Sequence, residues 1–280
     1  MNKVFHGDNL SVLKSIKNNS IDLIYVDPPF NTGIDQSRVI KKVKKSAKGS
    51  VTGFKGQKYE VKDMGSYSYS DSYYNFLDFL KPRLVEAKRV LKKTGTLYIH
   101  LDFREVHYVK IFLDKLFGRQ NFLNEIIWAY DYGGKAKNKW PTKHDTILVY
   151  VKDKNKYFFS SSSVDREPYM APGLVTKEKA LRGKLPTDVW WYTIVSPTGK
   201  EKTGYPTQKP LGILKRIILA SSKEGDTILD FFAGSGTTGE AAASLNRRFI
   251  LVDENDEAVL VIRKRFAARM PEIHVEYAKV

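Results

Sequence analysis

DTILDFFAGSGTTGEAAASLNRRFILVDEN, residues 226–255, is the stretch that decides the fold. DTILDFF reads as a short strand, AGSGTTG as a glycine turn, EAAASL as a helix and RRFILVD as a second strand closing on Asp253. Strand, tight turn, helix and strand in that order form a βαβ unit. Glycines let the backbone approach a ligand where a Cβ would collide. An acid ending the second strand, 17 positions after Gly236, can accept both ribose hydroxyls of an adenosine group.

The loop narrows the cofactor. AGSGTTGE lacks the lysine of GxxxxGK[ST], so a phosphate loop for ATP is not indicated. Gly234, Gly236 and Gly239 also fit GxGxxG, which by itself leaves NAD open. Asp230 weighs against a dinucleotide, because a carboxylate beside the loop repels a pyrophosphate and attracts an ammonium. S-adenosylmethionine (AdoMet) carries an α-ammonium and no phosphate, and fits better.

Outward from this unit, both ends of the chain alternate between strand and helix. KVFHGD, LSVLKSI and IDLIYV read as strand, helix and buried strand. From Tyr73 to Leu91 apolar residues recur at helical spacing, with Pro82 predicted to kink or split the helix. GTLYIHLD reads as a strand, REVHYVKIFLDKLFG as a helix stopped at Gly118, and NEIIWAY and HDTILVYV as two further strands. QKPLGILKRIILASS is a helix entered through Pro210, and Asn255 caps the last helix. One α/β domain is therefore expected over 1–34, 67–151 and 206–280, with a mixed, mostly parallel sheet and helices on both faces. The lysine-rich segment 35–66 reads as a basic mobile loop with room for one short hairpin. Residues 152–205, rich in Ser, Pro and Gly, read as an irregular insertion outside the sheet.

The 280 residues hold 47 Lys plus Arg against 31 Asp plus Glu, a net charge of +16 that favours a polyanionic partner, usually nucleic acid. Cysteine is absent, which removes disulfides, thiolate metal sites and cysteine nucleophiles. His100, His107 and His144 lack metal-ligand spacing and read as packing or hydrogen-bonding residues, so no metal is expected. MNKVFHGDNL has no signal-peptide core and no run approaches a membrane span, so a cytoplasmic protein without membrane attachment is expected.

YVDPPFNTG, residues 25–33, sets a carboxylate on stiff backbone beside a flat ring. If the cofactor donates a methyl group, an exocyclic base amine is a poor acceptor, because its lone pair is delocalised into the ring. Two fixed acceptors for its N–H bonds turn the lone pair toward the methyl. The Asp27 carboxylate and the Pro28 carbonyl supply them, and Pro28 and Pro29 hold them rigid. Phe30 offers a surface on which the base stacks once it has left the duplex.

These residues resemble the DPPY/F signature of the DNA amino-methyltransferases. In that family the carboxylate goes with adenine N6, and a serine variant mainly with cytosine N4. DPPF comes first and the AdoMet loop last, which resembles the circularly permuted β class. HGDNLSVLKSIKNNSIDLIYVDPPFNTG, KHDTILVYVKD and YPTQKP with DTILDFFAGSGTTGEAA extend the resemblance over nearly the whole chain. It implies a Rossmann-like AdoMet-dependent methyltransferase fold in which 152–205 is a target-recognition segment. The implied activity is methyl transfer to adenine N6 in double-stranded DNA, with base flipping, in a restriction-modification context, yielding S-adenosylhomocysteine. Cytosine N4 and RNA adenine stay open as targets, as does an inactive DNA-binding protein of the same fold. By the same resemblance Asp8 contacts the cofactor's adenine amine, Asp230 its ammonium, Lys209 its carboxylate and Asp253 its ribose. Phe232, Ala233, Gly234, Ser235 and Gly236 line it. A homodimer is implied, and a cognate restriction endonuclease system without a stable complex.

YDYGGKAKNKWPTKHD mixes Lys135, Lys137, Lys139 and Lys143 with Tyr130, Tyr132 and Trp140, a composition suited to phosphates and base stacking. Lys41, Lys42, Lys44 and Lys45 form a second candidate for phosphate contact.

Overall fold

The computed structural model describes residues 2–33, 36–46, 50–52, 56, 58–69, 71, 73–131, 133, 135–196 and 199–280; Asp35 and Tyr132 lie outside the described residues. In chain order the elements begin with β1 (Asn2–His6), α1 (Asn9–Ser15), β2 (Ile21–Val26), β3 (Gln36–Lys45), β4 (Val51–Thr52) and β5 (Lys58–Tyr69). Next come α2 (Phe76–Val90), β6 (Leu91–Leu101), α3 (Val106–Phe117), β7 (Phe122–Ala129) and β8 (His144–Val151). The chain closes with α4 (Lys177–Arg182), β9 (Val189–Trp191), α5 (Leu211–Ser221), β10 (Thr227–Asp230), α6 (Thr237–Ser244), β11 (Arg248–Asp253), α7 (Asp256–Arg269) and β12 (Val275–Lys279).

Nine strands form one sheet in the order β12-β1-β11-β10-β2-β6-β8-β7-β9. Only the pairings of β8 with β6 and β7 are antiparallel, so β8 runs against the other eight. Side chains alternate across the sheet. Ile24 and Val26 of β2, Leu97 and Ile99 of β6, and Leu148 and Tyr150 of β8 join α1, α2 and α3 in one core. Leu23, Tyr25, Tyr98, Ile147 and Val149 face the other way, onto α5, α6 and α7. Ile21 shares the face of Ile24 despite its odd spacing, because the pairing with β6 shifts register between Ile21 and Leu23.

β10 pairs directly with β2, Leu229 opposite Ile24. Strands from the two ends of the chain are thus neighbours, and their C-terminal ends deliver the residues after Val26 and Asp230 to one place. Ligands of open α/β sheets bind at such strand ends.

Three expectations need correction. Where 35–66 reads as a loop with room for one short hairpin, its described residues form an antiparallel three-stranded sheet, β3-β5-β4, running on to Tyr69. Its pattern appears only across partners: Val43 meets Val61 and Lys44 meets Glu60, a pairing that lysine-dense single strands hide. The insertion 152–205 does not stay outside the sheet, since β9 pairs with β7 at its edge and buries Trp190. Its three residues are too short to announce a strand. Pro82 does not split α2, which runs unbroken from Phe76 to Val90. An interior proline costs about 3 kcal/mol; burial of Phe76, Leu80, Leu84, Ala87 and Val90 offsets it. Asn255 caps α7 as expected, accepting from Glu257 N at 2.8 Å.

Candidate active site

The strand ends open into a cavity of about 670 Å³ lined from both halves of the chain. The glycine loop supplies Phe231, Phe232, Ala233, Gly234 and Ser235, the first motif Asp27, Pro28, Pro29 and Phe30, and the 205–209 loop Tyr205, Pro206, Thr207, Gln208 and Lys209. The turn into α7 adds Asp253 to Glu257.

Gly234 takes φ +49°, and a Cβ there would come within 3.3 Å of the Tyr205 ring. Its N–H donates to Asp253 Oδ2 at 2.7 Å, while Asn255 N donates to Oδ1 at 3.0 Å. Burial nonetheless pushes the Asp253 carboxyl up to about 6. Asp230 is 2% exposed; it accepts from Phe232 N at 3.0 Å and Thr238 Oγ1 at 2.6 Å. Burial, with Asp27 and Asp253 nearby, still raises it to about 7.

Among the described residues the lining holds six carboxylates, Asp27, Asp230, Asp253, Glu254, Asp256 and Glu257, and a single cationic side chain, Lys209. Such a wall repels a polyphosphate and attracts a cation. Tyr73, Phe79 and Phe232 form an aromatic side, with ring centroids 4.5 Å apart for Tyr73 and Phe79 and 6.0 Å for Phe79 and Phe232.

Asp27 follows β2 directly. Its Oδ2 pairs with Lys209 Nζ at 2.7 Å, and its Oδ1 is buried without a hydrogen-bond partner among the described residues. The same ammonium lies 4.8 Å from the Phe30 ring centroid. Behind them His100, 0% exposed, joins Tyr25 Oη at 2.9 Å to Asp145 Oδ2 at 3.2 Å, and Tyr130 Oη donates to Asp145 Oδ1 at 3.2 Å. Burial pushes Asp145 up, but the His100 contact and the Lys209 charge outweigh it and hold its carboxyl below the usual range. His100 is thus a hydrogen-bonding residue, as its spacing implied, and the described residues contain no metal-ligand cluster.

A second cavity of about 450 Å³ adjoins the first and shares Phe30, Tyr205, Thr207, Gln208 and Lys209 with it. Phe103, Trp128, Tyr130, Asp102, Asp145 and Arg104 also line it, as do Ile194, Val195 and Lys202 from the 152–205 segment. The β7–β8 loop stands at its rim through Gly133 and Thr142. On that loop Lys135, Lys137 and Lys139 are exposed, Trp140 is 94% exposed and Lys143 donates to Gly133 O at 3.2 Å.

Two expected site residues lie off the cavity wall. The Asp8 carboxylate caps α1 through Ser11 N at 2.8 Å and pairs with Arg83 at 3.1 Å; the neighbouring Asn9 reaches the cavity instead. Gly236, at φ +74°, is required by packing, since a Cβ would meet Ile262 Cγ1 at 2.8 Å. Lys209 does line the cavity, but its partner is Asp27. Tyr73 and Phe79 carried no motif signal, and Asn9, Tyr205 and Gln208 stand inside the HGDNL and YPTQKP stretches without a role read from them. Thr207, in the same YPTQKP stretch, gains a structural signal: a β-branched residue at φ +54° is a strained position of the kind that clusters at functional sites.

The site is thus an acid-lined cavity at parallel strand ends, opening on a proline-held carboxylate. Residues 21–264 match the DNA methylase family model. The chain is 33% identical to the DNA adenine methyltransferase YhdJ of Escherichia coli, covering 99% of this chain and 86% of that one. It is 33% identical to the type II methyltransferase M.HpaI of Haemophilus parainfluenzae, over 91% and 71% of the two chains. Among solved structures, TTHA0409 of Thermus thermophilus in complex with S-adenosyl-L-methionine superposes with a TM-score of 0.62 at 22% identity, covering 100% of this chain and 98% of that one. The cytosine-N4-specific PvuII DNA methyltransferase gives 0.65 at 16% identity, over 96% and 88%. The chain belongs to the DNA methylase family and is a DNA methyltransferase of the same fold as these structures.

Proposed function

We propose that this methyltransferase transfers the methyl group of AdoMet to the exocyclic N6 of adenine in double-stranded DNA. One observation carries the reading: Asp27 presents a buried oxygen without a partner among the described residues, on proline-held backbone, at the junction of two cavities. Only a hydrogen-bond donor brought in from outside satisfies that oxygen, and an adenine amine is such a donor.

The first cavity fits AdoMet, whose net positive charge suits six carboxylates, and which supplies an electrophilic methyl when bound. Asp230 would hold its ammonium, Asp253 its ribose, and Phe232, Ala233, Gly234 and Ser235 its flank. Gly236 shapes that loop from behind. Asp8 keeps α1 and Asn9 in place, and so reaches the adenine end indirectly. The second cavity, with Phe30, Trp128 and Tyr130 in its wall, receives the everted base. Asp27 Oδ1 and the Pro28 carbonyl accept the two N6 hydrogens, turning the lone pair toward the methyl carbon. Asp27 would take the surplus N6 proton as the amine is methylated and pass it to water, the bound cofactor supplying the methyl group. Lys209, on Asp27 Oδ2 and in the wall of both cavities, would meet the cofactor's carboxylate without leaving Asp27.

Lys135, Lys137, Lys139, Trp140 and Lys143, with the 152–205 segment, contact the target duplex. A restriction-modification setting in the cytoplasm, alongside a cognate endonuclease, and a homodimeric state complete the proposal. Among the described residues no helix is long and apolar enough to cross a membrane.

The test is transfer of labelled methyl from AdoMet to duplex DNA, followed by nucleoside analysis. N6-methyladenine is expected. N4-methylcytosine would move the target to the other amine. Label in RNA alone, or none at all, would refute the DNA-adenine reading.

A further inference from the structure

Of the large hydrophobic side chains that stand exposed among the described residues, Phe103 alone lines either cavity of the site. It is 47% exposed, so the ring lies partly in the wall of the second cavity and partly in solvent. A scattered exposed phenylalanine is ordinary on a protein surface. This one differs in its mounting and its company. Phe103 is the second residue after β6, in the turn that enters α3. Asp102, buried beside it, accepts from Arg104 N at 2.9 Å and pairs with the Arg104 guanidinium, and its carbonyl accepts from Val106 N at 3.2 Å. Glu105 Oε1 accepts from Asn31 Nδ2 at 2.8 Å, and Asn31 directly follows Phe30. The turn that carries Phe103 is thus tied to the backbone that carries the Phe30 ring.

The company is cationic. The Arg104 guanidinium lies 4.9 Å from the Phe103 ring centroid, and the Lys139 ammonium 5.8 Å from it. Arg104 comes from the β6–α3 turn and Lys139 from the β7–β8 loop, so two separate elements converge on one ring. Both side chains are exposed. Asp102 engages part of the guanidinium, whose five N–H donors leave others for a second anion. A flat apolar ring between two cations complements a gap in a duplex. The gap presents the faces of the neighbouring bases, and the backbone on either side of it presents phosphates.

We propose that Phe103 is a wedge that enters the base stack at the position the target nucleotide leaves, while Arg104 and Lys139 hold the phosphates flanking the gap. Extruding a base costs its stacking, and an apolar side chain set between base steps stabilises the opened duplex. Phe30 stacks on the base inside the cavity; Phe103 stacks on the neighbours it has left. The link from Glu105 to Asn31 keeps the two rings in register. The inference rests on the methyl-transfer reading for the base that leaves, but its test needs neither turnover nor the recognition sequence.

The test compares binding of a mixed-sequence 30-base-pair duplex with binding of the same duplex carrying one central abasic site, followed by fluorescence anisotropy with S-adenosylhomocysteine present. The abasic site offers a gap without extrusion of a base. The unaltered protein should therefore bind it about tenfold more tightly, the ratio that one base–aromatic stack supplies. Phe103→Ala should bring the ratio within about twofold of unity, Phe103→Gln should do the same, and Phe103→Trp should retain the preference. Tyr108→Ala, which removes an exposed aromatic of α3 that lines neither cavity, should leave it unchanged. Arg104→Gln with Lys139→Gln should weaken binding to both duplexes alike and lower the slope of log K against log[KCl] by about 2, close to 0.9 for each phosphate released. Thermal melting verifies that each variant is folded. No abasic preference in the unaltered protein, or a preference that survives both Phe103→Ala and Phe103→Gln, overturns the wedge. If the unaltered protein then still forms N6-methyladenine, the methyl-transfer reading stands and only the wedge falls. A preference that depends on Phe103 in a protein that incorporates no methyl group would keep the wedge and refute that reading.

Discussion

Lowering the pH from 8 to 6 should weaken binding of S-adenosylhomocysteine about twentyfold, because two buried acids must lose protons to receive it. Asp230 is raised to about 7 and Asp253 to about 6, burial being the leading cause in both. At pH 6 a group titrating near 7 is about 90% protonated and one near 6 about half, whereas at pH 8 both are almost fully ionised. If Asp230 holds the ammonium and Asp253 the ribose, binding at pH 6 should release about 1.4 protons, and at pH 8 about 0.1. Titration calorimetry in two buffers of different ionisation enthalpy measures that number directly. Asp230→Asn should remove most of the release and flatten the pH dependence above pH 6. The free protein carries the mirror image of the effect. Its folded state holds the extra Asp230 proton between the unfolded value near 3.8 and about 7. Stability should therefore fall as pH rises through that window, by on the order of 4 kcal/mol from this residue, and the bound product should restore it. An affinity that is flat from pH 6 to pH 8, with no proton released, refutes the assignment of these two acids.

Asp27→Ala should abolish methyl transfer while S-adenosylhomocysteine binding changes by less than about threefold, since it deletes an amine acceptor and no cofactor contact; turnover near that of the unaltered enzyme would remove Asp27 from the chemistry. Lys209→Met leaves the Asp27 carboxylate buried and unpaired, so a loss of about 3 kcal/mol is expected, roughly 6 to 12 °C in melting temperature. Adding Asp27→Asn to it should recover most of that loss, and a double variant no more stable than Lys209→Met would show that the pair is not coupled. Gly236→Ala should destabilise by about 2 to 3 kcal/mol, from its left-handed conformation and the clash with Ile262. A Gly236→Ala melting temperature equal to the parent's would refute the packing argument.

Local chemistry made much of the fold legible. Residues 226–255 combine a glycine turn with flanking apolar runs, and each of those signals is satisfied within a few residues of itself. The Asn255 cap and the helix beginning after Pro210 were readable for the same reason. β9 was not, because Val189–Trp191 has no period to detect and becomes a strand only when β7 offers hydrogen-bond partners. The β3-β5 ribbon was hidden because lysine runs leave no polar–apolar alternation along the single strand, and the pairing shows only once the partner strand is known.

The site divides along the same line. The amino-acid sequence alone determined which chemical groups are present: a carboxylate fixed by Pro28 and Pro29, a ring at Phe30, a glycine loop, acids at both strand ends, and no thiol. Residue type and backbone stiffness settle those without reference to distant chain. Tertiary structure alone decided which groups meet. The β2–β10 pairing brings residues some 200 positions apart into one wall, and Lys209 reaches Asp27 across nearly as long a separation. Asp8 is drawn away to cap its own helix and pair with Arg83. Whether a charge is buried, and therefore whether Asp230 titrates near 7, depends on what packs around it. That surrounding comes from the whole sheet, and no local stretch of sequence contains it.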